Sequence, residues 1–286
     1  MATASRVRAW LAVEQPGPWG PDALTQSRLD PDLGAALARR GQRSGVRTIL
    51  VRRPRPARAS ARPRCFLAHS GRRQSWVRFL DVDHPAELLD LDWSLLASDQ
   101  APALGTPVGA PVFLVCTNGR HDRCCADLGR PLVRALVAAR VGQVWECSHI
   151  GGDRFAANVV CLPEGVYLGR VGAGEGPAVL RDYAAGHLSL DHYRGRSCYP
   201  ALVQAAESSV RRAAGLTELH GLALIAVDAL DGDRADVTFA RSSAPDQQWR
   251  ARVGRARSPA ARLLTCRAGG EARPWAYHLE ELISPT

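Results

Sequence analysis

Short apolar runs of strand length and longer stretches of helical spacing alternate along most of this chain. The N-terminal third contains three runs that predict strands, namely AWLAV, RTILVRR and RCFLAHS. The segment DPDLGAALARRG predicts a helix that Asp30 or Asp32 caps and that Gly41 ends. Together these elements predict a small α/β domain at residues 1–105, with its boundary in the Pro-, Gly- and Ala-rich stretch 97–111.

The middle of the chain has the clearest order of elements. PVFLVC predicts a buried strand that ends at Cys116, a polar loop with thiols follows, and GRPLVRALVAARVG predicts a helix up to Gly142. Next come a strand in QVWECSHI, a loop in GGDRFAAN, a hairpin that turns at residues 163–165, and a helix in GPAVLRDYAAG. Strand, helix, strand, loop, hairpin and helix is the order of a thioredoxin-like domain, which we place at residues 106–216.

The remaining chain predicts a β-rich C-terminal segment at residues 217–286. It follows a strongly amphipathic helix in SCYPALVQAAESSVRRAAG, and its short strands are expected in LALIAVD, ADVTFARS, QWRARVG and RLLTCRA. No internal repeat of fixed period is visible. The expected fold class is therefore α/β in the sense of α+β, with three successive segments.

Length and composition indicate a globular protein. The chain has 286 residues, of which 46% are hydrophobic, enough for one large domain or two small ones. No apolar run approaches the roughly 18 residues that a membrane span needs. The apolar stretch at the start breaks at Gly17 and Pro18, too early for a signal peptide. We therefore expect no membrane association and a cytoplasmic location.

The basic residues are all arginines and give a net charge of +9. They are spread along the chain and are densest in the Pro- and Arg-rich stretch 51–64, which predicts a loop. This distribution favours a solvated basic surface, or a docking patch for an acidic partner, over nucleic-acid binding. A nucleic-acid-binding module would lose salt-dependent DNA binding on neutralisation of Arg52, Arg53 and Arg55.

Cysteines are numerous for a chain that needs no disulfides to fold. A cytosol keeps thiols reduced, so metal or redox chemistry is favoured over structural disulfides. Cys161 lies in an apolar strand, where a free cysteine commonly fills core space. The eight cysteines are Cys65, Cys116, Cys124, Cys125, Cys147, Cys161, Cys198 and Cys266.

Two polar clusters carry the candidate chemistry. Cys116 and Cys125 bracket eight residues, and Cys147, His149 and Asp153 leave the following strand on the same predicted rim. Thiolates and an imidazole from two loops predict a transition-metal site, because soft ligands select zinc, copper or iron–sulfur clusters. Alternate residues of a strand share a face, so Cys147 and His149 are expected to point together.

The residues that flank the thiols are expected to influence them without binding metal. Arg120, His121 and Arg123 are predicted to lower the pKa of the thiols in this loop and so to favour thiolate. We expect His121 and Arg123 to lie around the site or at the surface. Charges and hydrogen bonds near cluster sulfurs tune a cluster's potential.

Two other kinds of site stay open on spacing alone. A zinc site would more commonly use C-x2-C pairs, which this chain lacks. A metal-free thiol oxidoreductase would use the vicinal pair Cys124 and Cys125, although a dithiol enzyme normally has C-x-x-C.

Three long motifs resemble the sucraseferredoxin-like family, in its actinobacterial branch: CTNGRHDRCC, VWECSHIGGDRFAANVVCLPEGVYLGRV and YRGRSCYPALVQAAE. WLAVEQPGPWG and RTILVRR resemble its N-terminal part. The resemblance implies a thioredoxin-like ferredoxin domain with a [2Fe-2S] cluster. It also implies that two cysteines bind the cluster, matching Cys116 and Cys125, and in eukaryotic relatives two histidines. His149 matches the first histidine, and Asp153 stands in place of the second.

Because Asp153 stands where the family has its second histidine, the resemblance does not specify the fourth ligand. We expect Cys147, with Cys124 and Asp153 as weaker candidates, because carboxylate is a hard ligand. The more favoured role of Asp153 is to anchor its loop by bonding backbone amides or Arg154. Cys198 and Cys266 are distant in sequence and are not expected to bind the cluster.

The expected function is electron transfer or redox sensing with an unidentified redox partner protein, and no catalytic residues are assigned. With fewer histidine ligands than a two-histidine relative, the cluster should have a lower reduction potential. A histidine ligand also predicts a potential that depends on pH, because its outer nitrogen can bind a proton.

Overall fold

The structure, a computed structural model, describes residues 2–54 and 62–285. Part of the arginine-rich stretch 51–64, including Arg55, lies outside the described residues. The described residues form a large mixed sheet and a separate four-stranded antiparallel sheet with a few helices, so the expected α+β class is confirmed. None of the helices in this part of the chain is long and apolar enough to cross a membrane.

The elements are numbered in chain order. The N-terminal part contains β1 (Ala9–Glu14), α1 (Pro31–Ser44), β2 (Val46–Arg52), β3 (Arg64–Ser70), β4 (Ser75–Asp81), α2 (Ser94–Ala97) and β5 (Thr106–Pro107). The middle part contains β6 (Val112–Cys116), α3 (Arg123–Ala138), β7 (Gln143–Cys147), β8 (Val159–Leu162), β9 (Val166–Leu168), α4 (Gly176–Ala184) and β10 (Tyr193–Arg196). The C-terminal part contains α5 (Ala201–Ala214), β11 (Leu222–Ala229), β12 (Arg234–Arg241), β13 (Ala244–Arg257) and β14 (Trp275–Ile283).

The large sheet has two halves with the same order of elements: strand, helix, strand, strand, strand. Its order is β10-β9-β8-β6-β7-β2-β1-β3-β4-β5. β1 is parallel to β2 and antiparallel to β3, and β6 is likewise parallel to β7 and antiparallel to β8. The two halves meet where β2 pairs antiparallel with β7. One sheet thus joins the segments 1–105 and 106–216, whose boundaries stay a prediction.

Each half of the sheet buries one face under its own helices and the other face in a shared core. The strand residues alternate accordingly: Leu11 packs toward α1, and Trp10 enters the shared core. That core brings Phe66 of one half into edge-to-face contact with Trp145 of the other, with ring centroids 5.1 Å apart. Cys116, the last residue of β6, belongs to this shared core.

Helix α1 begins as expected and ends later than expected. Asp30 caps it by accepting a hydrogen bond from the Leu33 N–H at 2.9 Å. The helix continues past Gly41 to Ser44 and ends at Gly45, whose φ of +66° favours glycine. A Cβ on Gly41 would lie 2.6 Å from the Val46 carbonyl oxygen. This glycine therefore permits close packing and does not stop the helix.

Two boundaries near the thiols differ from the expectation. α3 begins at Arg123, because Asp122 caps it by accepting from the Cys124 N–H. Cys124 and Cys125 are therefore in the first turn of a helix, not in a loop. β7 ends at Cys147, so His149 lies beyond the strand.

The C-terminal sheet has the order β11-β12-β13-β14 and packs against α5. The expected strand in RLLTCRA is wrong: within the described residues this stretch is irregular apart from one bridge between Arg262 and Ala272. β14 takes the fourth position in the sheet, and the apolar pattern did not predict it.

Candidate metal centre

Cys116 and Cys125 meet where β6 ends and α3 begins. Cys116 is the last residue of β6, and Cys125 lies in the first turn of α3. The helix passes close to the strand, since a Cβ on Gly129 would lie 2.2 Å from the Cys116 carbonyl oxygen. Only glycine allows this approach. Both thiols are buried.

His149 lies over the same strand ends. The preceding residue, Ser148, is held to β2 because Leu50 donates its N–H to Ser148 Oγ at 3.0 Å and accepts from the Ser148 N–H at 2.8 Å. Gly151 and Gly152 then turn the chain with φ of +93° and +82°, a backbone region that favours glycine.

Cys116, Cys125 and His149 form one group. Their two Sγ atoms and a ring nitrogen all lie within 4.8 Å of one another. The structure therefore brings together three of the four residues predicted as ligands from the sequence, and Cys147 is the exception. Two thiols and an imidazole suit a transition metal. Their ligation of a cluster stays a prediction.

Asp153 contacts two members of this group. Its Oδ1 lies 3.1 Å from His149 Nδ1 and accepts a hydrogen bond from Cys125 Sγ at 3.4 Å. The expected anchoring bonds are wrong: among the described residues, the carboxylate bonds neither Arg154 nor a backbone amide. Arg154 instead stacks on the Phe155 ring.

His121 is a neighbour that the sequence analysis did not count among the ligands. Its ring stacks on the His149 ring, with centroids 3.7 Å apart. Its Nδ1 lies 3.1 Å from the carbonyl oxygen of Pro21, in the connection between β1 and α1. His121, His149 and Asp153 form a second group within 4.8 Å. In the sequence His121 stands between Cys116 and Cys124, which indicated that it lies near the site. That position alone did not show whether its side chain enters the site or stays at the surface.

Cys147 does not join the group of Cys116, Cys125 and His149. It pairs in register with Cys116 in the sheet and is fully buried. Burial, and then the charge of Cys116, raise the pKa of its thiol. The expectation that Cys147 and His149 share a strand face is wrong, because the strand ends at Cys147.

The other cysteines lie outside this group. Cys124 donates to the Asp153 carbonyl oxygen at 3.2 Å and belongs to a different cluster, with Asp122 and Cys266. Cys161 is buried in the core beneath α3 and α4, which confirms its packing role. Cys198 is buried near α5.

Contacts within the group shift the pKa values of its members in opposite directions. The hydrogen bond with Cys125 lowers the pKa of Cys116 to about 5; burial opposes the shift and His149 adds to it. The same contact, together with burial, raises the pKa of Cys125. Burial acts to lower the pKa of His149, but Asp153 and Cys116 outweigh it and raise that pKa to about 9. At neutral pH the metal-free site therefore pairs a Cys116 thiolate with a His149 imidazolium.

The neighbouring arginines do not produce this thiolate, contrary to expectation. Arg123 pairs with Asp127 on the exposed side of α3, at 3.0 Å. The pKa of Cys124 is raised, first by burial and then by hydrogen bonds with Asp122 and Cys266. The stabilised thiolate is that of Cys116, and its partners are Cys125 and His149.

The pair of Cys116 and His149 predicts a pH-dependent stability for the metal-free protein. The His149 pKa, raised from 6.5 to about 9, gives stability that is lost as the pH rises through 9. The Cys116 pKa, lowered from 9.0 to about 5, gives stability that is lost as the pH falls through 5. Between pH 6.5 and 9 the contribution of His149 to stability falls with rising pH as fast as that of Cys116 increases, so the two changes cancel. From this pair alone, the free energy of unfolding should therefore stay level within this range and fall below it, by at most about 1.4 kcal/mol per pH unit.

Urea unfolding of the metal-free protein at about pH 8 and about pH 5.5 measures this effect. Cys116→Ser removes the thiolate and should show a smaller fall in stability between these two pH values. An equal fall in the wild type and the variant would contradict the pairing of Cys116 with His149.

An arginine pocket of about 410 Å³ opens beside the thiols. Thr117 and Asn118, which follow Cys116, line one side, and none of its described lining residues is acidic. Two of its arginines are paired, one with Glu146 and one with Asp127. The other three have no ion-pair partner among the described residues. The five arginines that line it are Arg52, Arg120, Arg123, Arg130 and Arg267.

A family model described as sucrase/ferredoxin-like matches residues 1–195, which is more than half of the chain. The chain belongs to the sucrase/ferredoxin-like family. The resemblance seen in the motifs is confirmed at this level, and the actinobacterial branch stays a prediction. The sucrase/ferredoxin-like match includes the group of Cys116, Cys125 and His149 but ends before Cys198 and Cys266. It is therefore shorter than the motif resemblance, which extended to residue 207. No curated protein and no solved structure matches the chain.

Proposed function

We propose that this sucrase/ferredoxin-like protein holds a [2Fe-2S] cluster and serves in electron transfer or redox sensing. The observation that carries the proposal is the convergence of Cys116, Cys125 and His149 within 4.8 Å. Cys116 ends β6, Cys125 lies in the helix after it, and His149 lies just beyond the neighbouring parallel strand β7. Thiolates, and in some centres imidazoles, hold such clusters. When bound, the cluster supplies a one-electron redox centre.

The chemistry of the donors supports this assignment. His149 Nδ1 is buried and has no well-aligned hydrogen bond among the described residues, although Asp153 Oδ1 is 3.1 Å away. A buried nitrogen that lacks a well-aligned hydrogen bond is costly, and coordination of a metal ion by this ring would offset that cost. The low pKa of Cys116 favours thiolate, which is the ligating form. Soft sulfur donors favour iron–sulfur chemistry over hard cations.

We propose Asp153 as the fourth ligand in place of Cys147. Its carboxylate touches both Cys125 and His149. It also occupies the position that the family resemblance gives to the second histidine. A carboxylate leaves the cluster more negative than an imidazole would, so the reduction potential should lie below that of a two-histidine relative.

The strand topology supports a thioredoxin-like ferredoxin fold for residues 106–216. The strands follow the order β7-β6-β8-β9, with α3 connecting β6 to β7 and α4 following the hairpin. Ligands of open α/β sheets gather beyond the carboxyl ends of strands, where Cys116 and His149 lie.

Two alternatives receive less support. A thiol oxidoreductase would bring Cys124 and Cys125 to one reacting centre, but Cys124 turns to the Asp153 carbonyl oxygen and Cys125 to the Asp153 carboxylate. In a DNA-binding module the arginines of the stretch 51–64 would be free. Arg52 instead pairs with Glu146, and Arg53 with Glu14, while Arg55 lies outside the described residues.

The arginine pocket supports an acidic redox partner. It adjoins Cys116 through Thr117 and Asn118, and Cys125 through Ala126. An anionic partner seated there would approach both thiols. Uncompensated positive charge steers anionic partners and raises their association rates.

Neutralising part of the arginine pocket is expected to slow oxidation by an anion. With the double variant Arg120→Gln and Arg130→Gln, oxidation of the reduced protein by ferricyanide should slow by roughly tenfold at low ionic strength. The difference should vanish at high salt, because screening removes steering. Stopped-flow absorption measures these rates.

Arg39 and Arg43 provide the matched control, because they are exposed on α1 and do not line the pocket. Their double glutamine variant has the same net charge as the pocket variant. Equal rates in the two double variants would argue against a docking role for the pocket.

Chemical analysis of anaerobically purified protein tests the proposed function. We expect a coloured protein in which iron and acid-labile sulfide are present in equal amounts. Zinc without sulfide would favour a zinc-binding protein, and a colourless metal-free protein would favour thiol chemistry. Either result would discard the cluster.

A further inference from the structure

A second pair of thiols lies at the start of α3. The Sγ atoms of Cys124 and Cys266 and a carboxylate oxygen of Asp122 all lie within 4.8 Å of one another. Cys124 is in the first turn of the helix, and Cys266 lies in the irregular connection between β13 and β14. Neither residue belongs to the proposed cluster ligands.

Asp122 holds the two cysteines in place through their backbones. Its buried carboxylate accepts the Cys124 N–H at Oδ1, at 3.2 Å, and the Cys266 N–H at Oδ2, at 2.7 Å. Because one rigid group binds both amides, it fixes the separation of the two residues. Both of its oxygens accept one of these bonds, so Asp122 clamps the two backbones together.

The two thiols differ in exposure. Cys266 is exposed, whereas Cys124 is partly buried and donates to the Asp153 carbonyl oxygen at 3.2 Å. An oxidant in solution therefore reaches Cys266 first. The connection that carries Cys266 is short of regular hydrogen bonds, having a single bridge between Arg262 and Ala272 in its described part. Closure to disulfide distance thus requires little loss of native structure.

We infer that Cys124 and Cys266 are a redox-active dithiol that closes into an intramolecular disulfide. The oxidant is a low-molecular-weight disulfide. The Cys266 thiolate attacks one of its sulfurs, forms a mixed disulfide and releases one small thiol. Cys124, losing its proton, then attacks the Cys266 sulfur and releases the second small thiol. The protein loses two hydrogen atoms, and the oxidant gains both as two thiols.

The disulfide would connect the C-terminal sheet to the candidate metal centre. It ties the connection between β13 and β14 to the residue next to Cys125, and it removes the hydrogen bond that Cys124 donates to Asp153. It also holds Arg267, which lines the arginine pocket, close to α3.

Peptide mapping of the full-length protein tests this inference without reference to the cluster. The purified protein is incubated with excess oxidised glutathione, its free thiols are alkylated, and it is digested with trypsin. Cleavage after arginine separates a peptide that begins at Cys124 from one that ends at Arg267. We expect these two peptides to be recovered as one disulfide-linked species, which a reductant then separates.

Serine variants assign the bond. Cys266→Ser and Cys124→Ser should abolish the linked species, and Cys125→Ser should retain it. If Cys125→Ser does not fold, fragmentation of the wild-type linked peptide between Cys124 and Cys125 makes the same assignment. Complete alkylation of Cys266 in the oxidised wild type, or a link that runs to Cys125, would overturn the inference. Neither outcome depends on iron content, so the proposed cluster is tested separately.

Discussion

Serine in place of Cys116 or Cys125 is expected to abolish cluster incorporation. A serine hydroxyl does not ionise at neutral pH and is a hard donor, so each variant loses one soft anionic ligand. Replacing a residue that only hydrogen-bonds a metal ligand already lowers metal affinity by about tenfold or more. Replacing a ligand itself should therefore lower the iron content per chain by more than about tenfold. Iron and acid-labile sulfide are measured after anaerobic reconstitution, together with visible absorption.

Cys147→Ser and Cys161→Ser are the matched controls. Both cysteines are fully buried, as Cys116 and Cys125 are, but neither belongs to the group within 4.8 Å. Serine at these positions should leave the iron content near that of the wild type. Circular dichroism shows whether each variant has folded. Loss of iron in Cys147→Ser would reinstate that residue as a ligand and contradict the proposed ligand set.

Histidine in place of Asp153 is expected to raise the reduction potential. A neutral imidazole would replace a carboxylate, leaving the cluster less negative. Centres with two histidines lie well above all-cysteine ferredoxins, so we expect a shift on the order of 100 mV or more. The potential should also fall more steeply as the pH rises, because a second imidazole takes part in proton uptake. Potentiometric titration followed by visible absorption measures both effects.

Asp127→His controls for the change of charge. Asp127 is an exposed carboxylate on α3 that pairs with Arg123, outside the group of proposed ligands. Its replacement should shift the potential far less than that of Asp153. Similar potentials in the two variants would mean that Asp153 does not bind the cluster.

The elements around the site were predictable because their signals are local. The strand that ends at Cys116 and the hairpin at residues 163–165 follow from apolar runs bounded by turn residues. Cysteines and a histidine that leave neighbouring strand ends have to meet at one edge of a sheet. Sequence reasoning could therefore place Cys116, Cys125 and His149 together.

The choice between Cys147 and Asp153 depended on a strand end that no local pattern marked. If the strand had continued two residues further, Cys147 and His149 would have shared a face. Ser148 instead bonds Leu50 of β2, and two glycines turn the chain so that Asp153 reaches the site. These are contacts between distant segments, and periodicity carries no information about them.

Contacts between distant segments also explain the other features of the structure that the sequence did not predict. The repeated arrangement in the two halves of the large sheet lies in strand pairing, without a repeat of residues. Cys266 reaches Asp122 across 144 positions of the chain. His121 joins the site through stacking on His149 and a contact with Pro21 of the other half.

Pulsed EPR of the reduced protein tests the central claim most directly, because it detects nitrogen bound to the cluster. We predict a strong nitrogen coupling in protein with natural histidine, a changed coupling with ¹⁵N-labelled histidine, and loss of that coupling in His149→Ala. A reduced cluster without nitrogen coupling, or a coupling that persists in His149→Ala, would contradict joint binding by Cys116, Cys125 and His149.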